Sequence, residues 1–191
     1  MRTTGRFPFL AILCLAATLP TAIAQQHPQD GSPHHGGTGH PVRHGQHSPY
    51  AGMQARDIKA LSEKQLADLR AGRGMSLALP AELNGYPGPA HVLELADELG
   101  LSPEQRERTQ ALFERMQGEA IAHGEALIVA ERGLDSLFRE GRATAESVAA
   151  ATSKAALAQG RLRESHLRYH VAMVELLTPE QVALYKRLRG Y

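Results

Sequence analysis

One five-residue pattern occurs three times and frames the whole chain. It reads Leu61-Ser62-Glu63-Lys64-Gln65, Leu101-Ser102-Pro103-Glu104-Gln105 and Leu177-Thr178-Pro179-Glu180-Gln181. Each copy is a helix start. A Ser or Thr hydroxyl caps the first free backbone N–H groups, and the Gln three residues later reaches back to the cap residue. Pro at the first helical position forfeits nothing, because its N–H would be unpaired there. The Leu before the cap can staple onto the fourth helical residue, which is Leu66 in the first copy and Val182 in the third. Arg106 stands there in the second copy and breaks the staple.

These starts, together with glycine stops, predict an all-α chain. A short helix runs from Glu63 to Ala71 and ends at Gly72. Gly74 to Pro89, with Pro80, Pro87 and Pro89, reads as loop with one helical turn. Ala90 to Leu99 is a helix with Val92, Leu95, Ala96 and Leu99 on one face and Gly100 as its stop. Two long helices follow, Pro103 to Glu140 and Ala145 to Leu176, the second capped by Thr144, and Pro179 to Arg189 closes the map. At 1.5 Å per residue the long helices measure about 57 and 48 Å. Aromatic residues are 5% and Trp is absent, which argues against a large β-sandwich.

A heptad register tests the hairpin. On the first long helix Phe113, Met116, Ala120, His123, Leu127, Ala130, Leu134 and Leu137 fall at a and d, and all but His123 are apolar. On the second the seam reads Val148, Ala151, Ala155, Ala158 and Leu162, then shifts phase to Tyr169, Met173 and Leu176. Gly118, Gly124 and Gly133 each cost about 1 kcal/mol against Ala, and a bend is expected near Gly118. The fold expected is a long antiparallel helical hairpin with short flanking helices. Its core is thin, so a cradle-like homodimer is favoured over a monomeric four-helix bundle.

The N-terminal part is of another kind. Met1 to Ala24 reads as a secretory signal peptide. Arg2 and Arg6 form its positive end, Phe7 to Leu19 its apolar run, and Ala22-Ile23-Ala24 a small-x-small cleavage site. The apolar run is short for a membrane span, so no membrane contact is expected after cleavage. The only Cys, Cys14, lies inside this segment, so the exported chain has no disulfide and no thiolate ligand. From Gln25 to Ala55 the chain is rich in Gly, Pro, Ser, Gln and His, and reads as a disordered tail before a helical domain over 56–191. The tail holds His27, His34, His35, His40, His44 and His47. Imidazoles in a loose Gly-rich tract can capture Cu, Zn or Ni, and equally can be a polar spacer.

The helical part offers one further candidate for metal chemistry. His166 and His170 are spaced i, i+4 and project from one helix face, with Met173 one turn on as a soft ligand. His123 on the facing helix could join them across the hairpin, near Glu119 or Glu164. The alternative is a solvated face beside Arg163 and Arg168, with His123 as a satisfied polar core group. His91 stands alone and reads as surface. No resident cofactor is implied. Catalytic motifs such as H-E-x-x-H and G-x-S-x-G are absent, so an enzyme is not expected. The formal net charge of +1 excludes a nucleic-acid binder driven by bulk charge.

The three Leu-Ser/Thr-x-x-Gln copies, the export signal, the missing cysteines and the long hairpin resemble the Spy/CpxP family of periplasmic LTxxQ proteins. The copies at 101–105 and 177–181 match best, and the likeness spans about Ala90 to Arg189. It implies a periplasmic envelope-stress protein, metal-responsive, with ATP-independent chaperone-like activity. A heavy-metal sensor or buffer of a resistance system is the other activity it implies. The implied partners are unfolded clients or the periplasmic domain of a sensor kinase.

Overall fold

In the computed structural model, which describes residues 48–191, every predicted capping box is made. Ser62, Ser102 and Thr178 accept the N–H of Gln65, Gln105 and Gln181 at 3.2, 3.1 and 3.3 Å. Each Gln Oε1 in turn accepts the N–H of its own cap residue, at 2.9 to 3.1 Å. Thr144 builds a fourth box with Ser147. The expected signal segment and the six tail histidines (His27, His34, His35, His40, His44 and His47) lie outside the described residues.

The elements are α1 (Glu63–Arg70), α2 (Leu79–Leu83), α3 (Pro89–Glu94), α4 (Pro103–Arg139), α5 (Ala145–Leu176) and α6 (Pro179–Arg189). Among the described residues the fold is all-α. Helices α4 and α5, of 37 and 32 residues and so about 55 and 48 Å long, pack together as an antiparallel hairpin with the short helices against its flanks. Ser48 to Ala55, assigned to the tail on sequence, is turned chain ending in a 3₁₀ turn at Met53–Ala55. The hydroxyl of Ser48 accepts the N–H of Tyr50 at 3.2 Å, which explains the local order.

Two apolar clusters hold the hairpin. The first joins Ile58, Leu61, Leu66 and Leu69 to Ala120, Leu127, Ile128 and Leu162. The Leu61–Leu66 staple is thus buried as expected. The second joins Val92, Ala96, Leu99 and Leu101 to Met173, Leu177 and Tyr185, with Val182 packed beside them. Helix α3 stops at Glu94, five residues short of the sequence expectation. Residues 95–100 continue as turns, with Leu99 N–H on Leu95 O at 2.9 Å and Leu101 N–H on Ala96 O at 3.0 Å. A straight helix could not turn both Leu99 and Leu101 into the cluster already filled by Val92.

The seam departs from its heptad at His123, which is only half-buried. Gly124 is buried in its place. A Cβ there would lie 2.6 Å from the Leu69 carbonyl oxygen, so α1 crosses α4 at a point only glycine leaves open. Gly118 and Gly133 touch nothing comparable, and α4 is one continuous helix through all three.

Candidate functional site

The stretch between α1 and α3 carries the chemistry. Met75 and Leu77 pack against the first apolar cluster, which fastens the stretch to the hairpin. Met75 and Ser76 take left-handed backbone at φ 41° and 62°. Non-glycine residues held there are strained, and the surrounding packing must enforce it. Pro80 sits in the first turn of α2, where its missing N–H costs nothing. This short helix turns Glu82 inward.

Glu82 is a buried carboxylate that ties four elements together. Its Oε1 accepts hydrogen bonds from the phenols of Tyr185 and, at 2.6 Å, Tyr191. His91 Nδ1 on α3 lies 3.2 Å away and Arg189 Nε on α6 lies 3.4 Å away. Its Oε2 faces His170 Nδ1 on α5 at 3.7 Å. Burial penalises the charge, yet the hydrogen bonds from His91, Tyr185 and Tyr191 outweigh it and hold the carboxyl at about 2. Burial, followed by the facing carboxylate, pushes the Tyr185 phenol well above its ordinary value. His91, expected alone at the surface, is therefore a partner of Glu82. Sequence reading also missed Glu82 itself, and the only signal was a carboxylate beside Pro80 in a stretch otherwise apolar and turn-rich.

Beside this cluster lies a cleft of about 550 Å³ between the 71–91 stretch, α4 and α5. Phe113, Met116, Leu79 and Leu83 give it apolar walls, while His166, His170, Arg73 and Arg189 give it nitrogen donors. His166 and His170 are both buried, at 3% and 6% exposure, so the solvated-face alternative is overturned. The reason is that the 73–89 stretch folds over this part of α5. Gly88 makes the cover possible, since a Cβ there would sit 2.8 Å from His170 Cε1. His170 Nδ1 donates to the Tyr86 carbonyl at 2.7 Å. His166 Nε2 has no hydrogen-bond partner. Burial, then the neighbouring His170, lowers the His166 pKa and so favours its neutral form.

The remaining sequence candidates scatter. Met173 is fully buried in the second apolar cluster and is not among the residues lining the cleft. His123 lies elsewhere on α4 and does not line it either. Among the described residues no three His, Cys, Asp or Glu side chains are grouped to hold a metal ion. Glu119, set beside the histidines on sequence grounds, instead pairs with Arg168 and accepts the Tyr169 phenol at 3.0 Å. No helix among the described residues is long and apolar enough to cross a membrane. Comparison of the chain with family models, with curated proteins and with solved structures returns no match.

Proposed function

We propose that this chain is an exported envelope-stress protein of the Spy/CpxP kind, with ATP-independent chaperone-like activity in the periplasm and a homodimeric form. One observation carries the reading. Large apolar side chains stand exposed along both long helices: Val129 and Phe138 on α4, Leu157 and Val171 on α5, each at least half exposed. Exposed apolar side chains strung along a rigid element offer a holding surface for unfolded segments, with no nucleotide needed. The family resemblance of the capping motifs supports the same reading.

The test is suppression of light scattering by a chemically denatured client at equimolar full-length protein. Suppression is expected, and it weakens severalfold when Val129, Phe138 and Leu157 are all changed to Ser. These positions are exposed, so stability moves little. A client that aggregates at the same rate with and without the protein sinks the proposal.

A second reading is a Cu, Zn or Ni sensor or buffer. It is favoured by the paired burial of His166 and His170 in one cleft. The Tyr86 carbonyl takes the Nδ1–H of His170, so Nε2 is the ring nitrogen left to bind a metal. Calorimetric titration of each metal into the full chain and into His166→Ala separates this site from the tail histidines. A stoichiometry unchanged by the substitution removes the cleft from the metal reading.

A further inference from the structure

We infer that the cleft is a binding site for an apolar carboxylate, a small organic acid with a hydrocarbon body. The first ground is its shape. At about 550 Å³ it falls within the roughly 300–1,000 Å³ of small-molecule pockets. Phe113, Met116 and Leu79 form a wall suited to a hydrocarbon chain or ring.

The second ground is His166. The side chain is more than nine-tenths buried and lines the cleft, and its Nε2 meets no partner in the protein. Buried nitrogens are nearly always satisfied, so an orphan in a residue that lines a cavity points to a partner the protein itself does not supply. The third ground is charge. The cleft lining holds two guanidiniums, Arg73 and Arg189, and one carboxylate, Glu82. Glu82 is already engaged by Tyr185, Tyr191, His91 and Arg189, with His170 facing its other oxygen. Arg73 reaches out to Asp68 at 2.7 Å through one nitrogen only and is two-thirds exposed, so its remaining N–H groups are free to meet an anion. An incoming carboxylate thus meets the unused N–H groups of Arg73, while the cleft's one carboxylate, Glu82, is already engaged and leaves an amine no free anion to pair with.

The inference extends to ligand class and not to client holding, which uses the outer faces of α4 and α5. Neither outcome below bears on that activity. The probe is decanoate, titrated calorimetrically into the full chain below its micellar concentration with EDTA present, so that no metal bridges the histidines. Saturable one-to-one binding is expected, with decanol at least about tenfold weaker because it lacks the charge. His166→Leu weakens decanoate about tenfold. Arg73→Gln, an exposed change safe for folding, weakens it about threefold to fivefold. Ala90→Trp fills the cleft and abolishes binding, with the melting transition confirming that each variant is folded. Absence of saturable decanoate binding overturns the inference. So does equal affinity for decanol, or affinity untouched by a folded His166→Leu, or by both Ala90→Trp and Arg73→Gln.

Discussion

The two ends of the hairpin are built on different terms. At the base, where α4 begins and α5 ends, the second apolar cluster, the Glu82 hub and two crossed glutamines tie α2, α3, α4, α5 and α6 together. At the tip, from Glu131 to Lys154, not one residue is buried. The helices are equally regular in both places. What holds the tip is polar contact and not a core: the Thr144–Ser147 box, the Asp135–Arg139 pair at 3.0 Å, and two links to the chain before α1, Arg132 to Asp57 at 3.0 Å and the Lys59 N–H to Asp135 at 3.4 Å. Regular helix therefore persists in this chain where no side chain is buried. The base supplies the buried anchoring, and the tip leaves Phe138 exposed.

The sharpest way to break the contrast is at Glu82. Glu82→Gln removes a buried charge whose partners stay behind, and is expected to lower stability by about 3 kcal/mol in urea unfolding. The exposed tip carboxylate Glu146→Gln should move it by no more than about 0.5 kcal/mol. The pH dependence has a definite sign. Glu82 is held at about 2, below the ordinary 4.5, so its contribution is complete above pH 4.5 and is lost as pH falls towards 2. The Gln variant should lose less stability than the parent across that window. Equal losses in the two proteins would show that Glu82 is not the anchor.

Gly124 comes next. Its missing Cβ lets the Leu69 backbone lie against α4. Gly124→Ala forces α1 outward and is expected to cost about 2 kcal/mol despite the better helix propensity of Ala. A stabilised Gly124→Ala protein would mean that α1 does not hold this position in solution.

The three motif copies sharpen the comparison further. Gln105 and Gln181 cap their own helices and also pair with each other, Nε2 to Oε1 at 2.8 and 3.0 Å. Each also donates to a carbonyl across the base, Gln105 to Leu176 O at 3.2 Å and Gln181 to Leu99 O at 3.3 Å. Gln65 serves only its own cap. Changing Gln105 or Gln181 to Ala should cost about 1.5 kcal/mol, against about 0.5 kcal/mol for Gln65→Ala. A double-mutant cycle on Gln105 and Gln181 should give a coupling of about 1 kcal/mol. Additive losses would reduce both residues to ordinary caps.

Those glutamines also show where sequence reading stops. Ser/Thr-x-x-Gln states a cap because both partners lie within one helical turn. The amide pair joins residues 76 apart, and no local pattern encodes it. The helix starts and the long hairpin were legible for the same reason, being governed by neighbours along the chain. The site was half legible. The i, i+4 spacing put His166 and His170 on one face, yet nothing local said that the 73–89 stretch would cover that face. Met173 has the spacing of a ligand and shares the histidines' face, but it lies further along α5 where that face meets the second apolar cluster. His123 fitted an ideal heptad, but the close crossing of α1 moved the buried position to Gly124.

The smallest expected effect tests the tip directly. Gly133 lies in the interior of α4, and a Cβ added there would meet nothing within 4 Å. Ala at this position restricts the unfolded chain and meets no obstacle, so Gly133→Ala should stabilise by about 0.5–1 kcal/mol. Where that gain appears is more informative than its size. If the tip opens independently of the base, amide hydrogen exchange should slow around residues 130–139 while protection near Leu101 and Tyr185 stays unchanged. Equal slowing at both ends would mean that the hairpin unfolds only as a whole. The tip's lack of buried side chains would then not make it a separate unit.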